Sequence, residues 1–271
     1  MLNTDKSEVN KDESSNALFF RSATEVSDEE QKRERLSTGS TNIDLLLDGG
    51  IECGTITQFY GVSKIGKTHL CHQFCVVLPL HYKVIYIDTQ DGFSITKIKS
   101  IAQARELSPG KILENIIVVK IGTTREQEQC IESLQNKINS ESGVKLLIVD
   151  SMTHLYRAEF TERSQLVRRQ SKMSKYLQLL LRVAQTNSVA VVITNEVHSN
   201  PQPYSYSDKL QPAGGNVLSY PCKYIVNLED RGFQYRSARL EKSPNLSAFS
   251  VPLIIDNKGF TDENPFPPEP G

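Results

Sequence analysis

The chain has 271 residues, 38% of them hydrophobic and 23% charged, with a formal net charge of −1. That is enough for one sizeable folded core and a short appendage, and the balance of charge excludes a polycation that coats nucleic acid indiscriminately. No run approaches the roughly 18 to 20 consecutive apolar residues that span a bilayer, and the acidic, polar beginning is unlike a secretory signal. The expectation is an intracellular protein without membrane contact, in the cytoplasm or at the nucleoid, or nuclear if its source is eukaryotic.

Taken in order, residues 1–17 are polar and have almost nothing to bury, which predicts a disordered tail. An apolar island follows around Leu18-Phe19-Phe20, and residues 18–35 read as a linker whose charged part, Ser27 to Arg35, suits a solvated helix. From Leu36 the pattern alternates short β-branched runs with helix-length segments. The strand candidates are Ile56–Tyr60, Val84–Asp88, Ile116–Ile121, Leu146–Asp150 and Val189–Thr194. Between them lie helical stretches such as His69–Val77 and Arg163–Gln185, the second carrying an apolar stripe at Leu166, Met173, Leu177, Leu180 and Ala184. This alternation predicts an α/β fold, a mainly parallel sheet with helices on both faces. Past Tyr224 three runs (Tyr224–Leu228, Gln234–Leu240, Phe249–Ile255) read as antiparallel strands. The core is expected over 36–262 and a second disordered tail over 263–271. The five cysteines are odd in number and hold no Cys-x-x-Cys pair, which favours reduced, buried thiols.

Gly61-Val62-Ser63-Lys64-Ile65-Gly66-Lys67-Thr68 fits the phosphate-loop pattern G-x-x-x-x-G-K-[ST] in full, after a predicted strand and before a predicted helix. Its glycines let successive N–H groups face phosphate oxygens; Lys67 would reach the β- and γ-phosphates and the Thr68 hydroxyl would ligate magnesium. His69, next along the helix, is placed with the nucleotide. Asp150, at the end of an apolar strand, is the carboxylate that would hold the metal, directly or through water. ATP and Mg2+ are therefore the expected cofactors.

Further motifs carry a resemblance. Leu147-Ile148-Val149-Asp150-Ser151, His154-Leu155-Tyr156-Arg157, Arg169-Gln170, the run Val189 to Asn195, and Pro212-Ala213-Gly214-Gly215-Asn216 closely resemble the RecA/RadA recombinase family in its archaeal and eukaryotic branch. The resemblance spans about Phe20 to Asp262 and implies a RecA-like ATPase core. It also implies a short, RadB-like paralogue without the family's N-terminal helical domain. Phe20 and Ala23 resemble the polymerisation motif, in which the Phe buries in a neighbouring subunit while the segment adds a strand to that subunit's sheet; the alternative is a tail packed on its own core.

Departures from the family pattern inform as well. Where the family reads Asp-Thr-Glu this chain has Asp88-Thr89-Gln90, and an amide positions water but accepts no proton, so slow hydrolysis is expected. Glu196 stands where the family has Gln, a negative charge that phosphates repel unless it is protonated or paired with a cation; it is also a candidate to activate water from the opposite side. Lys242 replaces an Asp in the family's ATP cap, either lying over a neighbour's nucleotide or exposed at a turn. Lys97 stands where relatives stack an arginine on adenine.

Between Arg157 and Arg182 seven basic residues face two acidic ones, a concentration that phosphate contact requires, though a solvated helix face reads the same way. By resemblance Arg163 sits in the first DNA loop and Arg169 at the start of the helix behind it, with Arg157 a further candidate DNA contact; Gly214 and Gly215 belong to the second loop, where Tyr204 and Tyr206 would stack bases. The leading expectation is an ATP-binding accessory recombinase in DNA recombination and repair, acting on single-stranded DNA or a partner recombinase. The alternatives are a DNA-dependent ATPase that exchanges strands itself and a RecA-like regulatory ATPase with a protein partner.

Overall fold

The computed structural model describes residues 22–198 and 211–262. Phe20, Tyr204, Tyr206 and both expected tails lie outside the described residues. The chain divides between Arg33 and Glu34.

The first unit holds helix α1 (Ala23–Gln31), which exposes all its side chains. Its start is fixed by a capping box: the Ser22 side chain accepts from the Glu25 N–H while the Glu25 carboxylate accepts from the Ser22 N–H. The Ser-x-x-Glu signature makes Ala23, expected as a subunit contact, the first helical residue.

The second unit opens with β1 (Arg35–Leu36), α2 (Thr41–Leu46), β2 (Ile51–Glu52), β3 (Ile56–Gly61) and α3 (Lys67–Val77). β4 (Lys83–Asp88), α4 (Ile95–Ala104), α5 (Pro109–Glu114), β5 (Ile116–Lys120), α6 (Thr124–Ser140) and β6 (Val144–Asp150) follow. Next come α7 (His154–Glu159), a 3-10 turn (Arg163–Gln165), α8 (Leu166–Asn187), β7 (Ala190–His198), β8 (Gln211–Pro212) and α9 (Asn216–Ser219). The chain closes with β9 (Cys222–Asp230), β10 (Tyr235–Lys242), β11 (Ser250–Asp256) and β12 (Gly259–Thr261). β1 and β2 form a small ribbon, and the main sheet runs β12-β11-β10-β9-β3-β7-β6-β4-β5, with β8 paired to β7.

Alternate residues of the central strands feed two cores. Val84, Tyr86, Leu146, Ile148 and Val192 pack on the α3 side, whereas Ile85, Ile87, Leu147, Val149 and Ile193 pack with α8. That two-sided burial explains why these strands read as continuous apolar runs. Along α8 the stripe Met173, Leu177, Leu180 and Ala184 is buried as expected, but Leu166 is 37% exposed because the helix begins there, at the sheet's rim. The C-terminal strands pair antiparallel as expected, and β9, antiparallel to β10, also pairs parallel with β3, so it joins the two parts of the sheet.

Below the sheet, the Glu52 carboxylate is 1% exposed and holds the ribbon to β9. Arg35 approaches it at 3.0 Å, Lys223 at 2.6 Å, and the Tyr224 hydroxyl donates to it at 3.2 Å. Removing the carboxylate leaves two largely buried cations facing each other. Glu52→Ala is expected to cost about 2 kcal/mol and lower Tm by roughly 4–8 °C in a domain of this size. Thermal unfolding by circular dichroism measures it; a shift below about 2 °C would show the cluster to be neutral.

Candidate nucleotide site

Strands β3, β4, β6 and β7 are mutually aligned so that their C-terminal ends share one rim, with Asp88 opposite Asp150 and Gly61 opposite Glu196. Crevices outside such strand ends are where open α/β sheets bind ligands. The loop from Gly61 to Thr68 turns over this rim into α3.

Two glycines make the turn possible. A Cβ on Gly61 would meet the Leu228 carbonyl at 2.6 Å. Gly66 caps α3 at φ 115°, where an L side chain is strained, and a Cβ there would lie 2.7 Å from the buried Phe260 ring. Ser63 and Lys64 are exposed at the tip, Lys64 with a φ of 64°, while Ile65 is buried and anchors the loop. Val62 packs partly buried against the α3-side core.

Lys67 folds back over the loop and donates to the Gly61 and Val62 carbonyls at 2.8 and 2.9 Å. Burial pushes its ammonium below the usual lysine range, and the nearby carboxylates of Glu196 and Asp150 pull it back up. Asp150 is held from two sides, by the Tyr86 hydroxyl at 2.8 Å on Oδ2 and by the Thr194 hydroxyl on Oδ1. A Cβ built on Gly92 would lie 3.9 Å from the Thr68 hydroxyl and 4.0 Å from the Asp150 carboxylate. One hydroxyl and one carboxylate oxygen thus border the same small space, the hard-oxygen set that magnesium takes alongside phosphate and water.

These groups line a cavity of about 250 Å3 formed by Ser63, Lys64, Gly66, Lys67, Thr68, His69, Gln90, Asp150, Ser151 and Glu196. Sequence reading assigned no role to Tyr86, Thr194 and Ser151, which position Asp150 and Gln90; Tyr86 and Thr194 lie in strands that end at the rim, and Ser151 follows Asp150. Gln90 is exposed and its amide donates to the Ser151 hydroxyl at 3.3 Å. The turn carrying it is pinned by Asp88, whose carboxylate accepts from the backbone N–H of Gln90, Gly92 and Phe93. Asp91, beside Gln90, is instead paired with Lys120 at 2.5 Å. His69 reaches the cavity wall half-buried, and burial, then Lys97, keep its imidazole below the usual range. Lys97 is exposed on α4, outside the cavity lining.

With this geometry in place, sequence comparison is decisive. The Rad51 family model matches residues 30–263. The chain belongs to the Rad51 family. Its similar relatives include the DNA repair and recombination proteins RadA of Metallosphaera sedula, 35% identical over 252 residues, and of Ignicoccus hospitalis, 36% identical over 257 residues. Each alignment covers 90% of this chain and 78% of the relative. RadA of Cenarchaeum symbiosum is 34% identical over 250 residues, which cover 90% of this chain and 62% of that protein.

The remaining site candidates of this Rad51-family chain are not among the residues that line this cavity. Lys242 donates to the carbonyls of Ser219, Tyr220 and Cys222, so its ammonium closes the C-terminal end of α9 within its own chain. Arg163 is exposed in the 3-10 turn. Arg169 is half-buried and donates to the Phe160 carbonyl at 3.3 Å, which ties the start of α8 to the end of α7. Gly214 and Gly215 both take positive φ, and a Cβ on Gly214 would strike Leu218 at 2.2 Å. Arg157 points its guanidinium at Glu196, 2.7 Å away, rather than standing free.

Proposed function

We propose that this Rad51-family chain binds Mg-ATP in the cradle from Gly61 to Thr68 and serves DNA recombination and repair as an accessory member, with the nucleotide acting more as a switch than as fuel. One observation carries the reading: Lys67, Thr68 and Asp150 converge on a single cavity at the strand ends. Bound Mg-ATP would supply a triphosphate whose charge Lys67 and the loop N–H groups offset, while Thr68 and Asp150 hold the ion. Titration calorimetry with Mg-ATP tests this; absence of heat overturns it.

Weak hydrolysis follows from Gln90. Its amide orients a water molecule from its place beside Ser151 but cannot take the proton. Gln90→Glu is expected to raise phosphate release by at least about tenfold, within the usual contribution of a general base. An unchanged rate would remove Gln90 from the mechanism.

DNA and partner contact complete the proposal. Arg163, exposed at the entrance to α8, is positioned for a phosphate of single-stranded DNA, with Arg169 and the Gly214-Gly215 turn shaping the loops around it. For assembly, β5 is the edge of the main sheet, and an apolar groove of about 800 Å3 lies between it and α6, lined by Ile117, Val119, Cys130 and Leu134. An edge strand beside an apolar groove suits an added strand with an aromatic anchor. The occupant we assign is the Phe20 segment of a second copy of this chain. Phe20→Glu is expected to abolish co-purification with such a partner in a pull-down with ATP, and retained capture would refute the assignment.

A further inference from the structure

The phosphate cavity contains a charge of the wrong sign. Glu196 lines it together with Lys67 and lies opposite Gly61 in the β3–β7 register, at the first residue of the loop. Its backbone cannot retreat: the Glu196 N–H donates to the Asn195 side chain at 2.8 Å, and Asn195 is locked by Thr153 at 2.8 Å and by the Ala213 carbonyl at 2.7 Å. A carboxylate fixed there repels a triphosphate unless its charge is offset. The offset is present. Arg157, on α7, places its guanidinium 2.7 Å from Glu196 Oε2, and both side chains are little more than a third exposed.

We infer that Arg157 is a positioning residue for the nucleotide and not a DNA contact: it neutralises Glu196 so that the cavity accepts a third phosphate, and thereby sets the preference for ATP over ADP. The inference rests on the nucleotide reading above. It deepens that reading by assigning the discrimination between triphosphate and diphosphate to a pair whose partners are 39 positions apart in the chain. Glu196 in this arrangement is a charged wall element held by its partner, with its Oε2 occupied, rather than a free base awaiting water. Without Arg157 the carboxylate would face Lys67 and the phosphates alone. Repulsion would then fall on whichever nucleotide extends furthest toward Glu196.

A double-mutant cycle tests this on the full chain, with calorimetric titration of Mg-ATP and Mg-ADP into the parent, Arg157→Ala, Glu196→Gln and the double variant. Arg157→Ala is expected to weaken Mg-ATP about tenfold more than Mg-ADP, a typical loss for an unpaired charge near a ligand. Glu196→Gln should tighten Mg-ATP, and the double variant should return to the Glu196→Gln affinity, since no carboxylate remains to be offset. Arg157→Lys keeps the charge and should preserve the parent preference; thermal unfolding checks that every variant is folded. A parent-like ATP-to-ADP ratio in Arg157→Ala overturns the inference and leaves the proposed function standing. A double variant as weak as Arg157→Ala overturns it too, because Arg157 would then serve the phosphates by itself. No Mg-ATP binding by the parent ends both readings.

Discussion

Lys67→Ala is expected to weaken Mg-ATP binding by roughly 30-fold to several thousandfold, the 2–5 kcal/mol lost when one partner of a buried charged contact is truncated. The size of the effect follows from the surroundings of the ammonium. It is held over the loop by two main-chain carbonyls, in a half-buried position where burial already disfavours its charge. A phosphate arriving there meets a cation that water screens poorly, so the attraction exceeds that of a surface lysine. The fold should survive the substitution, because the two carbonyls face the cavity, where water replaces the lost donor. Calorimetry with circular dichroism as control reads both parts. A folded variant with parent affinity would mean that the loop does not cradle phosphate.

The second large effect concerns acid. His72, 2% exposed on α3, lies between Tyr86 and Phe93, with ring centroids 6.0 and 5.7 Å away. Its Nε2 accepts from the Ser94 N–H at 3.1 Å, and Nδ1 has no partner among the described residues. Burial depresses its pKa to about 4 from the model-compound value of 6.5, against smaller opposing effects of Asp150 and Asp88. The unfolded chain therefore binds a proton that the folded chain refuses. The resulting stability is fully present above about pH 6.5 and drains away as pH falls toward 4, by about 3 kcal/mol in all. His69 and Lys97, also near the ring, push it in the same direction. Urea unfolding between pH 7.5 and 5 should show the parent losing about 2 kcal/mol more than His72→Phe over that window. Parallel curves for the two proteins would show that His72 takes up its proton without cost to the fold.

Much of the architecture was readable from residue order because its physics is local. Strands buried on both faces are apolar through their middles, as residues 84–87, 146–149 and 190–193 are; the loop from Gly61 to Thr68 needs its glycines wherever it occurs. Asp150 was legible as an acidic residue ending such a strand. What escaped depends on partners distant in the chain. The hydroxyls of Tyr86 and Thr194 that aim Asp150 come from 64 and 44 positions away, and the Arg157–Glu196 pair turns an apparent DNA-facing arginine inward. Lys242, expected to lie over a neighbour's nucleotide or to be exposed at a turn, donates to three carbonyls of its own chain. The parallel pairing of β9 with β3, beside its antiparallel pairing with β10, was also hidden, since a buried run such as 224–228 looks alike in either pairing. Ser22 and Glu25 spell a helix start at Ala23, a signal carried by the sequence itself.

The hairpin of β11 and β12 sits directly behind the phosphate loop. Phe260 occupies the space that any side chain on Gly66 would need, and its N–H donates to Gln73 on α3 across 187 positions of chain. A ribosome therefore releases the loop long before it releases the wedge that props it. While the chain is still growing, α3 lacks its backing and the cradle its shape. A polypeptide cut short before Gly259 should therefore contain the whole stretch from Gly61 to Thr68 and still leave it without the wedge that backs Gly66 and Gln73.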